Sequence, residues 1–155
     1  MAQTQTQAPK VSSSAKMALQ FMAFLLRHNW MGSAGNELLV ITTTGRKSGN
    51  CYSTPIGYLR DGETFIALTH AATPSNWYRN ALCSGQALLE IKGKPLEVRV
   101  EAVNDQAERE RIFDLYIQAR ARNFSRYFDV PVDASEAELN QALATRAFVR
   151  MMPRE

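Results

Sequence analysis

The sequence predicts an α+β fold, built on a small barrel of about six mostly antiparallel strands with flanking helices. Short runs of β-branched and apolar residues recur between residues 37 and 103 and return near the C-terminus. Turns containing glycine separate several of these runs, which favours hairpins over long crossover connections. Helical patterns with capping residues stand before, between and after the strands. Short antiparallel strands of this kind most often close into a small barrel.

Length, composition and charge narrow the class of protein. The chain has 155 residues, enough for one hydrophobic core, and 45% of them are hydrophobic. A formal net charge of +3 is too small to indicate nucleic-acid binding by itself. Cys51 and Cys83 lie far apart, which excludes a disulfide scaffold and the usual zinc spacings, and no metal site is predicted. We expect both cysteines to be semi-buried in a reducing cytoplasm.

The N-terminal part divides into a tail and a helix. Residues 1–13 are polar without an apolar period, so we predict a disordered tail, followed by a single domain over residues 14–155. Residues 14–28 carry apolar side chains at three-to-four spacing, which is typical of an amphipathic helix. That helix either covers one face of the sheet or makes a peripheral contact with a membrane surface. Its apolar run is too short to span a membrane.

The remaining elements follow from periodicity and turn residues. Asp61-Gly62 and Gly93-Lys94 are predicted two-residue turns, and three helices are predicted to begin at caps formed by Thr73, Asp105 and Ser135. The predicted strands cover residues 37–44, 52–59, 63–69, 86–92, 95–103 and 146–152, and the predicted helices extend from these caps to about residues 82, 122 and 144.

One stretch, TTTGRKSGNCYSTP, suggests a binding site. Its two glycines bracket Arg46, Lys47 and Ser48, and the stretch contains no acidic residue. Glycines allow a turn in which successive backbone N–H groups face one concavity. A guanidinium, an ammonium and a hydroxyl group add donors suited to phosphate or carboxylate. The spacing matches neither a Walker loop nor a G-x-G-x-x-G motif, and a solvated hairpin tip remains the alternative interpretation.

Three segments together resemble the deazaflavin-dependent nitroreductase/quinone reductase family. They are LLVITTTGRKSG, STPIGYLRDG and NWYRN, and the resemblance covers roughly residues 37–103. It implies a split β-barrel that binds coenzyme F420, whose phosphate and oligoglutamate tail are anionic. The implied activity is hydride transfer from reduced F420 to an electron-poor acceptor such as a quinone, a nitro compound or an enone. The resemblance also implies a homodimer.

The resemblance carries the cofactor site onto named residues. It implies loop contacts from Arg46, Lys47, Ser48, Gly49, Asn50 and Cys51, ring contacts from Ser53, Thr54 and Pro55, a second stretch at Thr69, His70 and Ala71, and a helix signature at Trp77 and Asn80.

Several of these side chains have a second interpretation from the residues themselves. Trp77 packs in the core or contacts the cofactor, and Asn80 braces the loop or contacts the ligand. His70 is either an ordinary hydrogen-bonded histidine or a donor to the cofactor. Tyr127, in an irregular basic segment, either lines a pocket mouth or donates the proton to the reduced product, and a water molecule is the alternative donor.

Other function classes remain open at this stage. An FMN-binding split-barrel reductase uses the same fold, and a non-catalytic module for flavin, haem or a lipid-like molecule needs no turnover. Nucleic-acid binding is disfavoured because the basic loop has no interleaved aromatic residues. The absence of an activated nucleophile agrees with hydride transfer, in which the coenzyme supplies the difficult chemistry.

Overall fold

The computed structural model describes residues 36–155 together with Gln20, Met22 and Ala23. The predicted tail and most of the predicted first helix lie outside these residues. Gln20, Met22 and Ala23 are helical, and buried Ala23 packs against Val40 and Leu38. This contact agrees with a helix that covers the sheet. Among the described residues, no helix is both long and apolar enough to cross a membrane.

Seven strands, four α-helices and a 3-10 turn make up residues 36–155. The elements in chain order are β1 (Leu38–Thr44), β2 (Cys51–Gly57), β3 (Leu59–Asp61), β4 (Thr64–His70), α1 (Asn76–Ser84), β5 (Gln86–Ile91), β6 (Lys94–Val103), α2 (Gln106–Ala119), a 3-10 turn (Ala121–Asn123), α3 (Phe124–Phe128), α4 (Glu136–Ala144) and β7 (Arg146–Pro153).

The strands form one sheet that curls into a split barrel. Their order is β2-β1-β5-β6-β7-β4-β3, and every neighbouring pair is antiparallel. β2 and β3 stand at the two ends of this order, yet only Tyr58 separates them in the chain. The two ends of the sheet therefore meet at Tyr58. In the described sheet β2 pairs only with β1, and β4 pairs only with β7 after Ile66. We call the space between these two unpaired edges, from the Cys51 end of β2 to the His70 end of β4, the opening.

The sheet has a different hydrophobic cluster on each face. Six strands contribute side chains to the barrel interior, where Trp77 and Ala81 of α1 complete the cluster. The outer face of β4 and β7 packs against α2, α3 and α4 through Ile66 and Phe148. Alternation along β4 and β7 explains the division, since successive side chains of a strand point to opposite faces. The predicted α+β barrel with flanking helices is confirmed.

The strand predicted over residues 52–59 is two strands in the structure. Its first part pairs with β1 and its second part with β4. Tyr58 lies at the change of partner, where its N–H donates to the Glu37 carbonyl. Because the sequence keeps its β pattern through this residue, periodicity alone gives no sign of the break.

Two turns and one helix start differ from prediction by one or two residues. The loop residues are Gly62-Glu63 and Lys92-Gly93, since Asp61 pairs with Thr64 and Ile91 pairs with Lys94. Positive φ angles of 61° at Gly62, 50° at Lys92 and 78° at Gly93 explain these positions.

The first cap was also predicted wrongly, whereas the other two are confirmed. Ser75, and not Thr73, precedes α1, and its side chain makes no capping bond. Asp105 and Ser135 each accept a hydrogen bond from the backbone N–H three residues later. α2 ends at Ala119, before the expected residue 122, because Arg120 leaves the helical conformation.

The structure also corrects the prediction for the cysteines. Both are free thiols, and both are exposed. Cys51 begins the end strand β2, and Cys83 lies in the last turn of α1.

We expect acid to destabilise the fold through an ion-pair network around Arg111. Its guanidinium donates to Asp61 Oδ2 at 2.7 Å and to Glu108 Oε1 at 2.9 Å. These hydrogen bonds are the largest cause of the lowered pKa of both carboxyl groups. A carboxyl with a depressed folded pKa adds stability above its unfolded pKa, and that stability is lost as the pH falls through the folded value.

The change from pH 7 to pH 3 should therefore lower the urea midpoint of the wild-type chain more than that of Asp61→Asn. Asp114→Asn, at an exposed position of α2, is the control. An equal loss of stability in Asp61→Asn and the wild type would contradict this account.

Candidate functional site

The basic loop between β1 and β2 is held by its own backbone. The Gly45 N–H donates to the Asn50 carbonyl at 2.7 Å, and the Gly49 N–H donates to the Gly45 carbonyl at 2.9 Å. Gly49 has a φ of 74°, which few residues other than glycine adopt. A Cβ on Gly45 would lie 2.7 Å from both Ser48 Oγ and a ring carbon of Tyr52. Both glycines are therefore needed for the shape of the loop.

Asn80 of α1 braces the loop from the side. Its Oδ1 accepts hydrogen bonds from Arg46 Nη1 at 2.7 Å and from the Arg46 N–H at 3.2 Å. Asn80 is only 4% exposed, so these bonds satisfy a buried amide oxygen that would otherwise be costly. Of the two roles considered for Asn80, the structure shows the bracing contact.

The contacts within the chain take up four of the loop amides that could have faced an anion. The amides of Gly45, Arg46, Gly49 and Asn50 all donate to acceptors within the chain. Ser48 Oγ accepts from the Asn50 N–H and also bonds to the Tyr52 hydroxyl at 3.0 Å. The side chains of Arg46 and Lys47 are among the donors left for a ligand.

Those two side chains fit an anionic group. Lys47 is exposed and, within the described part of the chain, makes no hydrogen bond or ion pair. The Arg46 guanidinium has five N–H donors and uses one of them in the bond to Asn80. The others are available for phosphate or carboxylate. The loop is also free of carboxylates, so no internal acid competes for these cations. Cys51 begins the strand that follows and is exposed.

The middle of β2 and the end of β4 stand on the two sides of the barrel opening. On β2, Ser53 Oγ bonds to Thr42 Oγ1 at 2.8 Å, and Thr54 and Pro55 are half-buried. On β4, Thr69 Oγ1 accepts from the Ser75 N–H at 3.0 Å. Both strands run so that these residues lie at the same end of the sheet as the basic loop.

At the end of β4, His70 and Ala71 are anchored by different contacts. His70 is exposed, and its Nδ1 lies 2.9 Å from Arg146 Nη1. The Ala71 N–H donates to the Thr145 carbonyl at 2.9 Å. Thus the loop, β2 and β4 bring most of the predicted cofactor residues to one end of the barrel.

Trp77 lies inside the barrel core. Its side chain is 8% exposed and belongs to the interior cluster, with its ring edge-on to Tyr78 at 6.0 Å between centroids. This placement shows the packing role.

Tyr127 lies away from the basic loop. Its ring packs beside Gly57, where a Cβ would come within 2.9 Å of it. Gly57 is the far end of a seven-residue strand, so about 20 Å of β2 separates it from Cys51. Burial raises the pKa of the Tyr127 phenol, which makes it a weaker acid.

Sequence reasoning missed one buried charge, Arg146. It is 4% exposed, and it donates to Asp129 Oδ2 at 2.7 Å and to the Tyr127 carbonyl at 2.8 Å. Periodicity places Arg146 at the start of a strand without indicating burial. His70 and Arg146 are paired neighbours on β4 and β7, and this pairing can be known only from the register of the sheet.

We expect the Arg46–Asn80 contact to appear as a coupling energy. Arg46→Ala and Asn80→Ala should each lower the free energy of unfolding, and the double variant should lose less than their sum. The expected coupling is about 1–3 kcal/mol because the bond is charge-assisted and partly buried. Urea unfolding of the four proteins measures it. Additive losses would show that Asn80 does not brace the loop.

Solved structures with the same fold include proteins of several kinds. An F420-H2 dependent reductase is 18% identical, covers 74% of this chain and 93% of its own, and has a TM-score of 0.51. An FAD-binding protein from Mesorhizobium loti is 11% identical, with 94% and 91% coverage and a TM-score of 0.54. A third, described as a domain-swapped dimer, is 14% identical, with 90% and 99% coverage and a TM-score of 0.55. Identities this low show the shared fold alone.

The sequence comparison identifies the family. No curated protein matches the chain. The profile of the F420H(2)-dependent quinone reductase family matches residues 25–133, which is well over half of the chain. The predictions of an oxidoreductase, of coenzyme F420 and of a split barrel are confirmed. The chain belongs to the F420H(2)-dependent quinone reductase family and is an F420-dependent oxidoreductase.

Proposed function

We propose that this chain reduces a quinone with F420 held in the barrel opening. Arg46 and Lys47 bind the anionic tail, and the strand at Ser53 to Pro55 carries the ring. One observation supports this arrangement most directly: a basic loop without carboxylates stands at the same end of the sheet as the opening between β2 and β4. The name of the family supports a quinone as the acceptor over a nitro compound or an enone.

Each part of the loop has a distinct task in this proposal. Asn80 fixes the Arg46 side chain before the ligand arrives, so less conformational entropy is lost on binding. Exposed Lys47 adds a movable charge that follows the tail. The coenzyme supplies the hydride, while the protein binds it, orients it and keeps water away.

Titration with oxidised and reduced F420, repeated with FMN, tests the proposal. We expect saturable binding of F420, followed by oxidation of reduced F420 when a quinone is added. Preference for FMN would favour the flavin reductase instead. Binding of F420 without oxidation by any quinone or nitroaromatic compound would indicate a non-catalytic module.

Tyr127 enters the proposal as the proton donor only if the ring reaches the Gly57 end of β2. Tyr127→Phe would then lower kcat at least tenfold without changing the Kd of F420. An unchanged kcat would leave water as the donor.

Assembly and location complete the proposal. The similar structure described as a domain-swapped dimer supports a homodimer. Light scattering tests this by measuring the mass of the protein in solution. Two free exposed thiols fit a reducing compartment such as the cytoplasm. The proposed membrane contact depends on the first helix, most of which lies outside the described residues.

A further inference from the structure

We propose that the quinone docks in the groove beside His70, between the start of β7 and helices α3 and α4. This inference rests on the proposed function and names the acceptor site. The groove is an open depression of about 510 Å³, within the size range of small-molecule pockets. Its lining includes Phe128, Val130, Ala137 and Ala142, with His70 and Arg146 at one end.

Arg146 builds the polar end of the groove. Its buried guanidinium donates to Asp129 Oδ2, to the Tyr127 carbonyl and to Thr145 Oγ1, at 2.7, 2.8 and 3.1 Å. These bonds fix the end of α3 against the start of β7. The same guanidinium also reaches His70 Nδ1 at 2.9 Å, so the imidazole is held by a group that is itself immobile.

This contact sets the tautomer of His70. An arginine N–H only donates, so His70 Nδ1 must accept, and the neutral imidazole carries its proton on Nε2. Nε2 lies 3.8 Å from Asp129 Oδ2, beyond hydrogen-bond distance. The His70 side chain is 56% exposed. It therefore offers an oriented N–H donor at the rim of an apolar groove, which suits a carbonyl oxygen.

The charges of the groove favour a neutral ligand over the anionic tail. Asp129 offsets the charge of Arg146 at 2.7 Å, and Glu138 adds a second carboxylate to the lining. An oligoglutamate chain would meet these carboxylates, whereas a flat quinone would meet apolar side chains and one donor. The groove therefore binds the neutral quinone, and the basic loop binds the anionic tail of F420.

His70 also connects the groove with the opening. It ends β4, which pairs with β7 as far as His70 on one side but with β3 only at Thr64 to Ile66 on the other, so the His70 end borders the opening. A quinone bonded to His70 Nε2 would therefore approach the ring carried by β2 from the β4 side. His70 acts here as a positioning residue, which differs from the cofactor contact predicted from the sequence.

Filling the groove tests the site directly. The probe is duroquinone, whose four methyl groups block addition by the exposed Cys51 and Cys83. Ala137→Trp places a large ring in the lining, and Asn140→Trp places the same ring on an exposed position of α4 outside it. We expect Ala137→Trp to raise the Kd of duroquinone at least tenfold by NMR titration, with no change for Asn140→Trp or for the Kd of F420.

Substitution of His70 tests the donor without filling the groove. His70→Leu should raise the KM for duroquinone at least tenfold with little change in the Kd of F420, and His70→Gln should restore much of the loss because its amide N–H also donates. A tenfold rise in the Kd of F420 in His70→Leu would assign His70 to the cofactor and overturn the inference.

The two proposals fail in different ways. Duroquinone binding is measured on the chain without cofactor, so it tests the groove even if F420 is never oxidised. If wild-type protein binds no duroquinone, or if both tryptophan variants bind it equally well, the groove is not the acceptor site. If reduced F420 is not oxidised although duroquinone binds in the groove, the proposed function fails and the binding site stands.

Discussion

Replacing Arg46 by glutamate is expected to raise the Kd of F420 more than tenfold. The change removes a charge-assisted donor worth about 1.5–3 kcal/mol, and tenfold in affinity corresponds to about 1.4 kcal/mol. It also puts a carboxylate beside an anionic tail. Because Asn80 loses its partner as well, the variant should unfold at lower urea than the wild type. Fluorescence titration with F420 and urea unfolding measure the two effects.

Two further charge reversals separate binding from folding. Lys47→Glu reverses a charge at an exposed side chain of the same loop, so affinity should fall with little change in stability. Lys94→Glu makes the same change at an exposed position at the start of β6, and its Kd should stay at the wild-type value. If all three variants lose affinity equally, the loss reflects net charge, and the loop is not the binding site.

The location of the basic loop could be predicted from sequence, but its internal bonding could not. Glycines flanking Arg46 and Lys47 between two strand patterns are a local signal. The partner that takes up the Arg46 amide is Asn80, 34 residues further along the chain. Because this contact is long-range, the residues of the loop alone give no sign that the Arg46 amide already has an acceptor.

The fold shows the same limit. The hairpins can be predicted from the sequence because their turns are local. The capping bonds of Asp105 and Ser135 can be predicted for the same reason, since each spans only three residues. The change of partner at Tyr58 and the burial of Arg146 depend on how the sheet curls. Neither alters the hydrophobic pattern of its own segment, so no local rule detects it.

Trp77 is the predicted cofactor residue that the structure places most firmly in the core. Trp77→Ala should therefore lower the free energy of unfolding by about 3–5 kcal/mol, the usual cost of removing a large buried aromatic side chain. Urea unfolding of the cofactor-free chain measures this directly. The loss arises in the interior cluster, to which α1 and six strands contribute side chains.

Trp77→Phe distinguishes packing from ligand contact. Phenylalanine keeps an aromatic ring in the interior cluster, so the expected loss of stability is smaller and the Kd of F420 should stay within twofold of wild type. A tenfold weaker Kd at nearly full stability would instead place Trp77 against the cofactor. In that case Trp77 would contribute to binding by touching F420. The structure supports an indirect contribution: Trp77 packs α1 into the barrel, and Asn80 of α1 holds Arg46.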